Sequence, residues 1–168
     1  MNIEVGTGDP FDQPGDTVVV YAPIGKRQPA GDAAAADRKL GGAIKRAQDK
    51  GLFTGRVGHL LEFPAPGRGQ LKRVVVVETG DNAAEADTAA TRTFAGNLAR
   101  SLRGMDAGHV VMSAPANAAR ALSPEDAARA VTEGFVLGLY RFDKHHTRDA
   151  DKPSGTVTGL TVLASSAR

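Results

Sequence analysis

Two patterns of apolar residues alternate along this chain of 168 residues. Short runs of β-branched and apolar residues predict strands, and longer segments with apolar residues every three or four positions predict amphipathic helices. Strands are expected at residues 2–6, 17–22, 57–63, 73–79, 109–113 and 157–163. Because strands and helices alternate, the sequence predicts an α/β domain of three layers (α/β/α), with helices on both faces of a mixed central sheet. This single domain is expected to occupy residues 1–163, and residues 164–168 to begin a linker.

Two long helices are predicted in the second half of the chain. The first spans residues 85–103 and has an apolar residue at every fourth position: Ala86, Ala90, Phe94, Leu98 and Leu102. The second begins at Ser123, whose hydroxyl can cap free backbone amides, and Pro124 suits its first turn. Its apolar stripe is expected at Ala127, Val131, Phe135, Leu139 and Phe142, with Lys144–His146 at its end.

The remaining segments predict one short helix and one hairpin. The helix is expected at residues 33–36 or from Gly42 to about Lys50, where Gly51 would stop it. Residues 64–70 are rich in proline and glycine, and they separate two predicted strands. This spacing predicts a hairpin between the third and fourth strands.

The composition excludes several classes of site. The chain has no cysteine, which rules out disulfides, thiolate metal ligands and cysteine nucleophiles. Its longest apolar runs, such as Val74–Val77, are far too short to cross a bilayer, and its first residues lack the pattern of a secretion signal. A formal charge of +2 does not require a nucleic-acid partner. We therefore expect a cytoplasmic protein that does not contact a membrane.

The histidines do not form a recognisable metal-binding motif. His59 and His109 stand in predicted strands without a nearby carboxylate pattern, and His145 and His146 would point about 100° apart on a helix. Ser113 lacks the glycine-flanked turn that exposes the nucleophilic serine of many hydrolases. The sequence therefore predicts no metal ion and no catalytic residue in this chain.

A weak anion-binding pattern precedes one predicted helix. Gly41 and Gly42 stand directly before its start, where free backbone amides could hold an anion beside Lys45. The alternative is an ordinary turn at the start of a helix, which needs glycine only for its backbone conformation. Basic clusters around Lys45, Lys72 and Lys144 could follow a DNA backbone or could be ordinary solvated surface.

One segment near the end of the chain carries a specific resemblance. Residues 133–143 read Glu-Gly-Phe-Val-Leu-Gly-Leu-Tyr-Arg-Phe-Asp. They closely resemble the helix Glu-Gly-x-x-Leu-Gly-x-Tyr-x-Phe-Asp in the amino-terminal domain of the leucyl (cytosol) aminopeptidases. The matching positions are Glu133, Gly134, Gly138, Tyr140, Phe142 and Asp143. Because Gly134 and Gly138 lie four residues apart on one helix face, the motif predicts close packing of another element and carries no catalysis.

Further segments resemble the same family in the same order. They are Leu40–Ile44, Gly51–Gly58 and the strand from Arg73 to Gly80, although Glu78 and Thr79 replace the more usual Gly-Leu. The resemblance implies a macro-domain-like fold. It also implies that the catalytic, metal-binding residues lie in a separate carboxy-terminal domain, so this chain is expected to hold no cofactor and to be inactive alone.

The family also implies a role and partners. Manganese or zinc is implied for the full-length enzyme, which removes amino-terminal residues from peptides and is usually a hexamer. The expected partners are therefore the catalytic domain and other subunits, and the expected role is subunit assembly or regulation. Two alternatives are a stand-alone macro-like module that binds a nucleotide or ADP-ribose, and a DNA-binding accessory domain.

Overall fold

The computed structural model of the chain describes residues 1–65, 69–80, 86–140 and 156–164. The strands in these ranges are β1 (Asn2–Gly6), β2 (Thr17–Pro23), β3 (Leu60–Pro64), β4 (Arg73–Thr79), β5 (Gly108–Ser113) and β6 (Val157–Leu163). The helices are α1 (Asp32–Lys39), α2 (Ala43–Asp49), α3 (Thr88–Gly104), α4 (Ala116–Ala121) and α5 (Pro124–Leu139). A 3-10 turn, Pro10–Asp12, follows β1.

The strands form one mixed sheet in the order β1-β6-β5-β2-β4-β3. Neighbouring strands are parallel except β3 and β4, which form the predicted antiparallel hairpin. β2 and β4 pair over their whole length, from Thr17 opposite Arg73 to Pro23 opposite Thr79. The carboxyl ends of the parallel strands therefore meet at one end of the sheet, which is called the carboxyl end below.

Helices cover both faces of this sheet. α3 and α5 pack on one face against strand residues that include Val19, Val75 and Leu160. α1 and α2 pack on the other face, against Val18 and Val20 among others. Successive residues of a strand point to opposite faces, so continuous valine runs supply both cores. The predicted three-layer α/β architecture with a mixed sheet is confirmed.

Several predicted boundaries differ from the structure. α1 and α2 both form, although the sequence favoured only one helix in this region. β3 begins at Leu60, later than predicted, because a turn precedes it. In this turn Gly58 has a φ of +83°, and the His59 amide donates a hydrogen bond to the Arg56 carbonyl. α4 was not predicted, since its six residues are too few for an apolar repeat to stand out. Residues 165–168 of the predicted linker lie outside the described residues.

The buried face of α3 differs from the predicted stripe. The helix begins after Asp87, whose carboxylate accepts a hydrogen bond from the Ala90 amide at 2.6 Å, and Ala90 itself is exposed. The buried residues are Thr91, Ala95, Gly96, Leu98, Ala99 and Leu102. Of the predicted stripe, Ala86, Leu98 and Leu102 are buried and Phe94 packs against the core, whereas Ala90 is exposed. A repeat of four residues drifts about 40° per step around a helix of 3.6 residues per turn, so the predicted stripe matches the buried face only in part.

α5 buries the predicted residues Ala127, Val131 and Phe135, but it ends earlier than predicted. Its last helical residue is Leu139, whose carbonyl accepts a hydrogen bond from the Arg103 guanidinium at 3.1 Å. The predicted continuation through Phe142 to residues 144–146 lies outside the described residues. Within the described ranges, no helix is both long enough and apolar enough to span a membrane.

Candidate functional site

The glycines of the family-like motif lie at the contact between α3 and α5. Gly134 lies against the backbone of Arg92, and Gly138 lies against the backbone of Gly96. A methyl group on Gly134 or Gly138 would overlap a carbonyl oxygen of α3. A Cβ on Gly96 would lie 3.1 Å from the carbonyl oxygen of Gly134, so α3 also depends on a missing side chain. The two helices therefore touch backbone to backbone at this crossing.

The other motif residues surround this crossing or follow it. Glu133 is exposed and accepts a hydrogen bond from Arg92 Nε at 2.8 Å, which ties α5 to α3. Tyr140 follows the helix in an extended conformation, and 72% of its surface is exposed. Phe142 and Asp143 lie outside the described residues. The structure thus brings Glu133, Gly134 and Gly138 to one helix contact, which offers packing rather than chemistry.

A cavity of about 500 Å³ opens at the carboxyl end of β2 and β4. The loop after β2, the end of α2 and the segment before β3 line it. Its cationic lining residues are Lys26, Arg27 and Lys45, and its acidic ones are Asp49 and Glu78. Open α/β sheets commonly bind ligands outside the carboxyl ends of their strands, so this cavity has the position of a binding site.

A buried carboxylate, that of Glu78, lines this cavity. Glu78 is 3% exposed, and its two oxygens accept hydrogen bonds from the Thr54 amide (2.8 Å), the Thr54 hydroxyl (3.1 Å) and the Gly55 amide (2.8 Å). The ring of His59 contacts the same carboxylate, with Nδ1 at 2.9 Å from Oε2. A buried charge requires such partners. These contacts attach the segment before β3 to the end of β4.

This cluster was missed in the sequence. His59 was predicted to have no carboxylate nearby, and that prediction was wrong because the β3–β4 hairpin brings Glu78 to it from 19 positions away. The sequence feature that could have indicated this contact is the acidic residue Glu78 at the end of a strand of buried valines. The other described histidine, His109, is bonded through Nε2 to the Thr161 hydroxyl at 2.8 Å. Within the described ranges, no three His, Asp or Glu side chains gather in a possible metal site.

The predicted anion-binding residues are only partly brought together. Gly41 and Gly42 enter α2 with φ values of 60° and 82°. The Lys45 amide, in the first turn of α2, donates to the Asp37 carboxylate at 3.0 Å, so a side chain of the protein occupies this helix start. Among the three predicted residues, Lys45 lines the cavity, and its ammonium group forms an ion pair with Asp49.

The basic clusters divide between opposite ends of the sheet. At the amino end of β4, Lys72 pairs with Asp16 at 3.3 Å and Arg73 pairs with Glu62 at 3.1 Å. Lys45 belongs to the other described cluster and lies at the carboxyl end. The third predicted cluster lies outside the described residues. DNA binding through these clusters stays a prediction.

Comparison with known proteins gives one family. A family model described as the N-terminal domain of the cytosol aminopeptidase family matches residues 17–149. A protein named "Probable cytosol aminopeptidase" from Caulobacter vibrioides is 31% identical over 133 residues, which are 79% of this chain and 25% of that protein. The chain therefore spans about a quarter of the length of this curated relative.

Solved structures agree with this fold. A tomato leucine aminopeptidase superimposes with a TM-score of 0.70 at 15% identity, and the match covers 97% of this chain and 32% of the tomato chain. The macrodomain of Mycobacterium tuberculosis DarG superimposes with a TM-score of 0.65 at 16% identity, and the match covers 98% of both chains. At these identities the two structures establish the macro-domain-like fold.

Proposed function

Because the chain belongs to the cytosol aminopeptidase family as its N-terminal domain, we propose that it is a non-catalytic accessory domain of a metal-dependent leucyl aminopeptidase. In this proposal it serves subunit assembly or regulation in the cytoplasm. Its partners are the catalytic domain and other subunits, and peptide hydrolysis depends on residues outside this chain. The observation that carries the proposal is the match of residues 17–149 to the N-terminal domain model of this family.

The geometry of the family-like motif supports a structural role. Gly134 and Gly138 allow α5 to pack closely against α3, and Glu133 forms an ion pair with Arg92 across the same contact. The buried carboxylate of Glu78 is likewise engaged by backbone amides and by Thr54, which fixes a loop. These motif residues and Glu78 thus have structural roles in the fold.

The proposal is tested by peptidase activity. The purified chain is incubated with leucine p-nitroanilide in the presence of manganese or zinc, and release of p-nitroaniline is followed. We expect no hydrolysis above buffer. A full-length cytosol aminopeptidase, such as the Caulobacter vibrioides relative, serves as the positive control. Metal-dependent turnover that persists after repurification would contradict the accessory role.

The cavity favours a second candidate function, binding of a nucleotide or ADP-ribose. Its position at the carboxyl end of β2 and β4 suits such a ligand, and Lys26, Arg27 and Lys45 could face the phosphates. Isothermal titration with ADP-ribose tests it. Binding that is lost in Lys45→Glu and kept in Lys72→Glu, at the opposite end of the sheet, would support this function. An absence of binding would end it.

A further inference from the structure

The first strand leaves one edge of the sheet without a neighbouring strand among the described residues. β1 pairs with β6 on one side only. Its side chains alternate, with Ile3 and Val5 on one face and Asn2 and Glu4 on the other, and Met1 directly precedes the strand. Met1, Ile3 and Val5 are 51%, 40% and 68% exposed. An exposed apolar edge strand is a template for pairing with another chain.

Among the described residues, the helical layer does not extend over this strand. Ile3 and Val5 lie beside Leu160 and Val162 of β6, on the same face, and these two neighbours are 0% exposed beneath the α3–α5 layer. On α5, Phe135 points to the sheet and Gly134 to α3. Val136 follows Phe135 by about 100° in the direction away from α3, and it is 40% exposed. Exposed apolar side chains therefore lie on both α5 and β1.

We propose that β1 is a self-association edge, which pairs antiparallel with β1 of a second copy of this chain. The pairing would join two six-stranded sheets into one continuous sheet across a two-fold axis. This inference rests on the assembly role proposed above, and it names the surface that would carry it. The strand contains no lysine, arginine or proline, and its one charged residue is Glu4. Charged residues, especially lysine, and proline commonly block edge pairing.

The side chains of β1 select one register for this pairing. With Ile3 opposite the partner's Ile3, Met1 lies opposite Val5 of the partner and Asn2 lies opposite Glu4 of the partner. Residues that face each other across antiparallel strands share a sheet face, so apolar groups meet apolar groups and an amide meets a carboxylate. A shift by one residue would place Ile3 opposite a glutamate, and centring on Glu4 would oppose two like charges.

A disulfide experiment tests this register directly, because the chain contains no cysteine. Opposed residues of antiparallel strands have Cα atoms roughly 4.5–5.5 Å apart, which suits a disulfide. Ile3→Cys is therefore expected to give a covalent dimer under mild oxidation. In Val5→Cys, the two cysteines would lie more than roughly 13 Å apart along the strands, so this variant should stay monomeric on a denaturing gel.

Solution mass supplies the second measurement. Sedimentation of the unmodified chain over a range of concentrations is expected to show a reversible dimer. Ile3→Lys should weaken this dimer by at least about tenfold, since it places like charges opposite each other. Val57→Lys, at a residue that is 61% exposed near the opposite edge of the sheet, should leave it unchanged.

Circular dichroism of both lysine variants checks that each retains the fold. A chain that is monomeric at every concentration, a dimer that survives Ile3→Lys, or equal cross-linking of Ile3→Cys and Val5→Cys would overturn the proposal. None of these outcomes bears on the peptidase assay. A failure of β1 pairing is therefore distinguishable from a failure of the accessory role.

Discussion

The Glu78 carboxylate fixes the segment before β3 to the end of β4, and we expect this contact to matter for stability. Glu78→Gln removes the charge and places an amide donor against the Thr54 or Gly55 amide. Hydrogen bonds to a buried charge contribute about 1.5–3 kcal/mol each, and an unpaired buried donor costs a similar amount. We predict a loss of about 2–3 kcal/mol in the free energy of unfolding, measured with urea.

The matched control is Glu62→Gln on the neighbouring strand. Glu62 forms an ion pair with Arg73, but its side chain is 44% exposed, so removing its charge should cost less than about 1 kcal/mol. Hydrogen exchange locates the effect: Glu78→Gln should accelerate exchange at the Thr54 and Gly55 amides. Equal losses of stability in the two variants would mean that the contacts of buried Glu78 contribute no more than the exposed ion pair of Glu62.

At the residue scale, the sequence could predict individual roles only where they depend on local neighbours. The caps at Asp87 and Ser123 follow from residues three positions away, and each forms its hydrogen bond. The sequence predicts the cap at Ser123, whereas it starts α3 at residue 85, before the observed cap at Asp87. The contact of His59 with Glu78 depends on hairpin register, and the capping of α2 by Asp37 depends on how two helices meet. Such pairings become visible only after the chain has folded.

At the scale of elements, the contact between α3 and α5 depends on glycine. Gly138→Ala would place a methyl group against the Gly96 carbonyl, and the backbone atoms around it cannot rotate away. Overpacking of this kind typically costs about 1–3 kcal/mol, although alanine gains up to about 1 kcal/mol in helix propensity. We predict a net loss of about 1–2 kcal/mol in the free energy of unfolding, measured by urea denaturation.

Gly104→Ala is the control for this substitution. Gly104 ends α3 with open space around it, so an alanine there should be neutral or slightly stabilising. A double variant of Gly96→Ala and Gly138→Ala should lose less than the sum of the single losses, because either methyl group already separates the helices. If Gly138→Ala were as stable as Gly104→Ala, the close crossing would not be required.

The sequence predicted which segments form the strands and the two long helices. It could do so because burial imposes a regular pattern of apolar residues on each of them. It placed Phe135 and Val131 in the core correctly. It did not predict the end of α5 at Leu139, where the Arg103 guanidinium of α3 donates a hydrogen bond to the last helical carbonyl. Nor could it predict the cavity, whose walls come from a loop, a helix end and a strand that are distant along the chain.

At the scale of the whole molecule, the pairing of β2 with β5 ends before the carboxyl end of β2. Their register covers three pairs, from Thr17 opposite Val110 to Val19 opposite Met112. Beyond these pairs, the Tyr21 hydroxyl donates to the Ser113 carbonyl at 2.7 Å and bridges the two strands. Burial of this phenol, and secondarily the negative charge of Asp32, raise the pKa of Tyr21 well above its ordinary value.

The raised pKa of Tyr21 makes stability depend on alkaline pH with a definite sign. Below about pH 10, the phenol is neutral in both the folded and unfolded chain, so its contribution to stability is complete. Above that pH, the unfolded chain releases the proton while the folded chain keeps it, and the free energy of unfolding falls by about 1.4 kcal/mol per pH unit from this group. We predict this extra decline for chains that contain Tyr21 and its absence in Tyr21→Phe.

The measurement compares Tyr140→Phe with the double variant Tyr21→Phe/Tyr140→Phe, so that Tyr21 is the single phenol in the first chain. Titrating lysines are common to both chains, and their effect cancels in the difference. At neutral pH, the double variant should be less stable by about 1 kcal/mol, because the hydrogen bond to Ser113 is lost. As the pH rises above 10, the two stabilities should converge and then cross. Parallel declines would show that the Tyr21 phenol ionises in the folded chain as readily as in the unfolded one, and the bridge between β2 and β5 would then be open to water.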